Sequence, residues 1–183
     1  MRVVTAAAYL VLASGSISAF GEDLVRAEQA VLARAMARVA PGRRLRTDQF
    51  RKVHQEVMAG TRKAYLIDVR SHPEFYAGHI EGTDHVPAGH LRKLTKLITD
   101  PNAEIVLWCR THPRAYYGAA FLQDCGYRNV WVWHDGIAGW IEKGYPLVNQ
   151  FMGRFTITDY DKDFGEVDPS GRPRWRLRIS PPH

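Results

Sequence analysis

Three short apolar runs, separated by helical patterns, constrain the fold of this chain more than any other feature. They cover residues 64–69, 104–108 and 130–133 and show no alternation of apolar and polar side chains. A strand that is buried on both faces has this composition, and the segments 91–98 and 113–124 between the runs have the apolar spacing of helices. Strands that alternate with helices form a parallel sheet with helices on both faces. The sequence therefore predicts an α/β fold around a mostly parallel sheet.

The first 21 residues have the layout of a secretory signal peptide. Met1 and Arg2 give a short positive start, residues 3–13 are apolar and uncharged, and small residues follow at 14–19. The apolar stretch is shorter than the roughly 20 residues that a transmembrane helix needs, so no stable membrane insertion is predicted. A buried N-terminal helix or an uncleaved anchor is the alternative interpretation. We expect cleavage after Ser18, after Ala19 or after Gly21, and a mature protein in the periplasm or outside the cell.

The rest of the chain divides into three predicted parts: an N-terminal helical extension, a central domain that holds the alternating strands and helices, and a C-terminal extension. Their bounds are 22–46, 47–148 and 149–183. Pro41 and Gly42 end the helical pattern of the first part. In the last part, the alternating segments 154–158 and 175–179 lie on either side of a turn signal and predict a β-hairpin.

Cys109 stands where the second apolar run turns into a helical pattern. At such a turn backbone N–H groups converge and the helix dipole is positive, and Arg110 and Arg114 add positive charge. These influences favour the thiolate, so we expect the pKa of Cys109 to lie below its ordinary value and its sulfur to be a nucleophile. The alternative is a small buried apolar side chain at a strand end. Cys125 follows the predicted helix, out of disulfide reach of Cys109, and is expected to be a free thiol.

The net charge of the chain is +6, which suits anionic ligands. The positive residues are mostly dispersed and the sequence contains no nucleic-acid-binding motif, so no nucleic-acid partner is predicted. His85, His90 and His134 lack the spacing of metal ligands. We therefore predict neither a metal nor another cofactor.

A series of motifs between about residue 47 and residue 147 resembles the rhodanese family, in the family's order. They are Leu66-Ile67-Asp68-Val69-Arg70, Glu74-Phe75, Gly78-His79-Ile80-Glu81-Gly82, Cys109-Arg110 to Arg114, Gly126-Tyr127, Asn129-Val130 and Asp135-Gly136-Ile137-Ala138-Gly139-Trp140. The resemblance implies a compact α/β fold with a central, mostly parallel five-stranded sheet and helices on both faces. Asp68 and Arg70 match the family's pair at a strand end, and we predict a structural charge pair near the site.

The resemblance also implies a sulfurtransferase of the thiosulfate:cyanide type. Cys109 as thiolate would attack the outer sulfur of a small anionic donor such as thiosulfate, hold it as a persulfide and pass it to a thiol or cyanide-like acceptor. The loop from Cys109 to Arg114, with Thr111 and His112, would wrap the sulfur with backbone N–H groups. Arg110 and Arg114 would hold the sulfonate end of the donor. The loop length favours sulfur over phosphate, because related phosphatases have a loop one residue longer.

The loop departs from the family pattern at His112 and Pro113. Active members usually carry glycine at the fourth loop position, where φ is positive or the backbone approaches a ligand. His112 could add a positive or hydrogen-bonding group over the donor, or could narrow the pocket. Pro113 either removes an N–H group that the loop needs or is the first residue of the helix. The alternative function is a non-catalytic binding or sulfur-carrier module that acts with another exported protein, whereas the retained Cys109, Arg110 and Arg114 favour the enzyme.

Overall fold

The computed structural model of the chain describes the backbone of residues 7–158 and the side chains of residues 23–158, so that residues 1–6 and 159–183 lie outside the described part. Its helices are α1 (Ala7–Arg38), α2 (Thr47–Met58), α3 (His72–Ala77), α4 (Leu94–Leu97), α5 (Pro113–Asp124) and α6 (Gly136–Glu142). Its strands are β1 (Arg44–Leu45), β2 (Tyr65–Asp68), β3 (Asp84–His85), β4 (Ile105–Trp108), β5 (Val130–Trp133), β6 (Leu147–Asn149) and β7 (Gly153–Phe155). Short 3₁₀ helices cover Pro41–Arg43 and Ala88–Lys93. Among the described residues, no helix combines the length and apolar character that a membrane span requires.

Five short strands form a parallel sheet in the order β1-β5-β4-β2-β3. The central strand β4 pairs with β2, where Val106 lies beside Leu66, and with β5, where Ile105 lies beside Val130. All four residues of β4 are buried. This explains why the run has no polar position, since helices cover both of its faces. The predicted α/β fold with a mostly parallel five-stranded sheet is confirmed.

Apolar side chains form a separate layer on each face of the sheet. The layer beneath α1, α4 and α5 contains Leu94 and Ala119. The layer beneath α2 and α6 contains Phe50, Trp133 and Trp140. In this second layer the Phe50 and Trp133 rings stack with centroids 4.0 Å apart and planes 5° apart. Burial of one such aromatic side chain stabilises the fold by about 1.5–3 kcal/mol, and the two layers together hold the helices at fixed positions over the sheet.

The chain leaves the sheet through an antiparallel hairpin of β6 and β7. Val148 in β6 also bridges to His79, just beyond the end of α3, which brings the hairpin close to that helix. The predicted hairpin joined residues 154–158 to residues 175–179, and the second of these segments lies outside the described part. That pairing and the predicted domain bounds therefore stay predictions.

The loop that follows β4 occupies the edge of the sheet where the strands end. Cys109 comes directly after Trp108, the last residue of β4, and α5 begins at Pro113. Because β4 is central, its loop has neighbours on both sides, from the segments after β2 and after β5. Open parallel sheets bind their ligands at this edge.

Candidate active site

Cys109 lies at the base of the loop between β4 and α5, with 1 % of its surface exposed. Its sulfur accepts hydrogen bonds from the backbone N–H groups of Thr111, Arg114 and Ala115. The last two belong to the first turn of α5, where N–H groups have no partner within the helix. We call these three N–H groups the sulfur cradle. They favour negative charge on the sulfur or on an atom bound to it.

Burial acts against the sulfur cradle in the unloaded protein. It raises the pKa of the Cys109 thiol above the ordinary value, and the cradle and the Arg114 guanidinium reduce this shift without reversing it. The prediction of a lowered Cys109 pKa is therefore wrong for the unloaded site. The N–H groups and the positive charge are present as expected, but the cost of desolvating the thiolate is larger.

The first turn of α6 supports the loop from the other side. The N–H groups of Ile137 and Ala138 donate to the carbonyl oxygens of Cys109 and Arg110, each over 3.0 Å. Gly136 has φ +60°, and a Cβ atom there would come within 2.6 Å of both of those carbonyl oxygens. Only glycine fits this close approach. The backbone of α6 thus turns the loop carbonyls away from the sulfur and leaves the loop N–H groups to face it.

The unusual residues His112 and Pro113 are compatible with this loop. Pro113 is the first residue of α5, so its missing N–H group is one that a helix leaves without a partner in any case. His112 has φ −142° and ψ −26°, which lies outside the left-handed region that favours glycine. The cradle therefore forms without glycine at the fourth loop position, and its donors come from residues on either side of the His-Pro pair.

The His112 side chain lines a cavity beside the loop. Its ring stacks on His134 with centroids 4.3 Å apart, and the His134 Nδ1 atom lies 3.0 Å from the Tyr116 hydroxyl. Burial lowers the pKa of both imidazoles below the ordinary value. The cavity, of about 780 Å³, is lined by both histidines and by Thr111, among others. His112 thus forms the rim between the loop and this cavity, and the imidazole is predominantly neutral at pH 7.

Arg114 is held by a carboxylate that the sequence had not suggested. Its Nη1 and Nη2 atoms donate to the two carboxylate oxygens of Glu74 over 2.6 and 2.8 Å. Burial favours the neutral carboxyl group, but hydrogen bonds from Arg114 and Ser71 lower the pKa of Glu74 to about 2. The same pair raises the pKa of Arg114, which also lies near the Cys109 sulfur. Arg114 therefore lies beside the Cys109 sulfur, and the Glu74 carboxylate neutralises part of its charge.

Asp68 and Arg70 form a buried ion pair behind α3. The Arg70 side chain donates to both Asp68 carboxylate oxygens, with an Nη2–Oδ2 distance of 2.7 Å. It also donates to the backbone carbonyl oxygens of Glu74 and Gly78 over 3.1 and 2.8 Å. The pair thereby fixes the end of β2 to α3, the helix that carries Glu74. This matches the predicted structural charge pair near the site.

Arg110 lines a different cavity from His112, an apolar one of about 330 Å³. The apolar part of the wall consists of four branched side chains and an alanine: Ala77, Ile137, Ile141, Leu147 and Ile157. Glu74 lines the same cavity and provides a carboxylate at its edge. We call this space the isoleucine cavity. The cavity lies beside the loop, since its lining includes Arg110 of the loop and Ile137, whose N–H group donates to the Cys109 carbonyl oxygen.

The structure brings Thr111 and Arg114 to the Cys109 sulfur, while Arg110 and His112 line two different cavities. Sequence reasoning did not assign a role to Glu74 or Gly136. Glu74 stands 40 residues before Arg114, and no local pattern reveals that pairing, although Glu74 lies in the Glu74-Phe75 motif. Gly136 had a local signal in the Asp-Gly dipeptide, which favours a positive φ.

Cys125 is the C-terminal cap residue of α5 and is exposed, whereas Cys109 is buried at the helix start. Both cysteines are free. The predicted absence of a disulfide between them is confirmed, and the length of α5 explains it.

Comparison with known proteins identifies a matching family model and relatives of part of this chain. The family model described as "Rhodanese-like domain" matches residues 51–143. A sulfurtransferase of Allochromatium vinosum is 30 % identical over 91 residues, which cover 50 % of this chain and 84 % of that protein. A tRNA uridine(34) hydroxylase of Cronobacter sakazakii is 29 % identical over 112 residues, which cover 56 % of this chain but only 31 % of the hydroxylase. The same domain therefore also occurs within longer proteins that have a different activity.

A similar fold is found in the polysulfide-sulfur transferase homodimer of Wolinella succinogenes. Its TM-score to this chain is 0.56 at 21 % sequence identity, over 72 % of this chain and 94 % of the other. At this identity the likeness concerns the fold.

Proposed function

The chain belongs to the rhodanese family, and from that premise we propose that it transfers sulfane sulfur through a persulfide on Cys109. The family model matches residues 51–143, which include the loop, Glu74 and the first turn of α6, and a sulfurtransferase is among the relatives. The sulfur cradle is the single observation that carries the proposal. Three N–H donors directed at one cysteine sulfur suit a group that becomes negatively charged during the reaction.

The proposed reaction has two half-reactions. In the first, the Cys109 thiolate attacks the outer sulfur of the donor, a bond forms between the two sulfur atoms, and the donor's own sulfur–sulfur bond breaks. With thiosulfate the leaving group is sulfite. In the second, a thiol or cyanide-like acceptor attacks the outer sulfur of the persulfide and Cys109 leaves as thiolate. Covalent catalysis of this kind divides one difficult transfer into two easier steps.

The protein groups act on charge in both steps. The N–H groups of Thr111, Arg114 and Ala115 are in place before the donor arrives, so they need no rearrangement as charge develops on sulfur. The Arg114 guanidinium adds a positive charge near the same sulfur. The raised pKa of the resting thiol means that the thiolate is a minor form until it reacts, which keeps a buried cysteine inert in the absence of a donor.

A sulfur-carrier or binding module is the second candidate function. The Glu74–Arg114 ion pair favours the carrier, because the Glu74 carboxylate already binds the guanidinium that would hold an anionic donor. A carrier would accept sulfur on Cys109 but release it poorly to a small acceptor, and would need another protein to receive it. We also propose, from the layout of residues 1–21, that the protein is exported and that such a partner would be exported with it.

Turnover separates the two candidate functions. Purified protein is mixed with thiosulfate, and the amount of sulfite released per protein molecule is measured over time. Cyanide or a thiol is then added as acceptor, and the measurement is continued. The sulfurtransferase releases sulfite continuously once the acceptor is present, whereas a carrier stops after one equivalent. No sulfite release at all, from folded protein with a reduced Cys109, would contradict transfer of sulfur from thiosulfate.

A further inference from the structure

We propose that His112 accepts the proton of a thiol acceptor in the second half-reaction, so that the acceptor attacks the Cys109 persulfide as a thiolate. This inference rests on the proposed function, because it assigns a proton transfer within the same reaction at Cys109. Two observations carry it: the place of His112 in the loop, and the cavity that its ring lines. His112 is also a residue at which the loop departs from the family pattern, so the inference concerns this chain and not the family as a whole.

His112 stands between the donors of the sulfur cradle. These N–H donors belong to Thr111, directly before it, and to Arg114 and Ala115, which follow shortly after. Because donors from both sides of His112 point at one sulfur, the His112 backbone is part of the turn that surrounds this sulfur. Its side chain is half-buried and does not extend freely into solvent.

The ring of His112 lines a cavity that opens beside one of these donors. This cavity of about 780 Å³, which we call the histidine cavity, is also lined by Thr111 and His134. Much of its wall comes from the segments that directly follow the parallel strands β1, β4 and β5, and open parallel sheets bind ligands at this edge. Thr111 belongs both to the cavity wall and to the sulfur cradle. A thiol in the histidine cavity therefore lies beside a residue that contacts the reacting sulfur.

The His112 ring is held in place and is neutral at pH 7. It stacks on His134 with the ring planes 13° apart, and the Tyr116 hydroxyl lies 3.0 Å from the His134 Nδ1 atom. This contact engages a nitrogen of His134 and leaves the role of proton acceptor to His112. Burial and the neighbouring His134 lower the pKa of His112, while Asp135 acts in the opposite direction. The imidazole can therefore accept a proton at pH 7, and the Asp135 carboxylate stabilises the imidazolium that forms.

The charged side chains of the histidine cavity are largely paired with each other. They stand at or next to the ends of α2 and α6 and are Arg46, Asp48, Asp135, Glu142 and Lys143. Arg46 forms an ion pair with Asp135 over 2.6 Å. Lys143 forms one with Asp48 over 3.0 Å. The wall is therefore polar without a strong net charge, which suits a small polar thiol.

The proposed step is balanced in atoms and charge. The His112 imidazole takes the proton of the acceptor R–SH, and R–S⁻ attacks the outer sulfur of the anionic Cys109 persulfide. A bond forms between these two sulfur atoms, the sulfur–sulfur bond to Cys109 breaks, and Cys109 leaves as thiolate. The imidazolium then returns its proton to the product, so that R–S–SH and the Cys109 thiolate remain. The total charge is −1 before and after the transfer.

The size of the effect follows from the acidity of thiols. A thiol with a pKa of about 8.5 is ionised to about 3 % at pH 7. A base that supplies the thiolate can therefore raise the rate constant by about thirtyfold at most at pH 7, and by very little at about pH 9.5, where the thiol ionises without help. This pH dependence separates proton transfer from a structural role of His112, because a distorted loop would slow the reaction at both pH values.

The test follows single transfers from loaded protein, with Cys125→Ser in every variant so that only Cys109 carries sulfur. Cys109 is loaded with thiosulfate and desalted, and loss of the added sulfur is timed by intact mass after free cysteine or sulfite is added. Sulfite is the acceptor without a thiol proton. His112→Phe keeps a ring against His134, and His112→Gln keeps a polar side chain, but both remove the base. His54→Phe is the matched control, because His54 is also half-buried against aromatic rings but lines a different cavity.

With His112 present, we expect free cysteine to remove the sulfur at pH 7. Both His112 variants should slow this transfer about tenfold at pH 7 but less than about twofold at pH 9.5, and should change the sulfite rate constant by less than about twofold. His54→Phe should change none of these rate constants.

Three results would overturn the inference while leaving persulfide formation intact. They are slowing of equal size for both acceptors or at both pH values, unchanged transfer to cysteine in the His112 variants, and no transfer to cysteine from loaded protein that retains His112. If thiosulfate did not load Cys109 in folded protein with His112 present, the proposed function would be overturned and this inference with it.

Discussion

Replacement of Arg70 with methionine should destabilise the protein far more than replacement of an exposed arginine. Arg70 has 5 % of its surface exposed and Asp68 has none. The substitution removes the guanidinium but leaves the Asp68 carboxylate buried, with the Arg70 backbone N–H as a remaining donor over 3.0 Å. Loss of one partner of a buried ion pair costs about 3–5 kcal/mol, because the other charge stays in the interior. We therefore expect a loss of about 4 kcal/mol in the free energy of unfolding.

The measurement is equilibrium unfolding in urea, followed by tryptophan fluorescence. The control is Arg154→Met, because Arg154 pairs with Glu81 at the surface, where the two side chains are 65 % and 59 % exposed. Loss of such a pair costs about 0–1 kcal/mol. The double variant Asp68→Leu/Arg70→Met removes both charges and should recover much of the lost stability, since a buried pair replaced by apolar side chains is often neutral.

The same variant should also disturb the site, because Arg70 holds α3 through the carbonyl oxygens of Glu74 and Gly78. Persulfide formation on Cys109 should slow in Arg70→Met even at low temperature, where the variant is folded. If Arg70→Met lost less than about 1 kcal/mol, or no more than Arg154→Met, the stabilising role of the buried pair would be refuted.

Three further predictions test other parts of the site. Gly136→Ala should destabilise the fold by about 1–3 kcal/mol and abolish loading of Cys109, because the added Cβ meets the loop carbonyls; unchanged unfolding and loading would contradict this. Cys125 should react with iodoacetamide faster than Cys109 at pH 7, because Cys125 is exposed and Cys109 is buried. The rate of Cys109 alkylation should keep rising above pH 9, because burial raises the pKa of its thiol. Peptide mapping over time measures each cysteine separately, and equal rates at pH 7 would contradict the burial of Cys109. The lowered pKa of Glu74 should stabilise the fold fully above about pH 5, and this contribution should decline as the pH falls towards 2. The free energy of unfolding of Glu74→Gln should therefore fall less steeply with acid than that of the native protein. If the two proteins lost unfolding free energy equally as the pH fell, the ion pair would not stabilise the fold.

Much of the fold could be predicted from local patterns. The four buried residues of β4 have no polar position, and the helical spacing after Pro113 begins where α5 begins. Both signals depend on residues next to each other in sequence, and the structure confirms both. Pro113 itself carries the information on the helix start, because proline is favoured at the first helical residue.

The electrostatics of the site could not be predicted in this way. The Cys109 pKa depends on how completely β4, α5 and the loop exclude water, and that is a property of the packed protein. The Glu74–Arg114 pair joins residues 40 positions apart, and its effect on donor charge follows only from their contact. Arginines near a cysteine in the sequence indicate positive charge at the site. They do not show that a carboxylate distant in sequence, here Glu74, neutralises part of that charge.

The most direct test of a Cys109 persulfide is the intact mass of the protein after incubation with a sulfane donor. The native chain, Cys125→Ser and Cys109→Ser are treated alike with thiosulfate and with benzyl persulfide, then passed through a desalting column. We expect a gain of about 32 Da in the first two proteins, its absence in Cys109→Ser, and its loss when cyanide is added. A gain that persists in Cys109→Ser, or no gain from either donor in folded protein with reduced Cys109, would contradict sulfur transfer through Cys109.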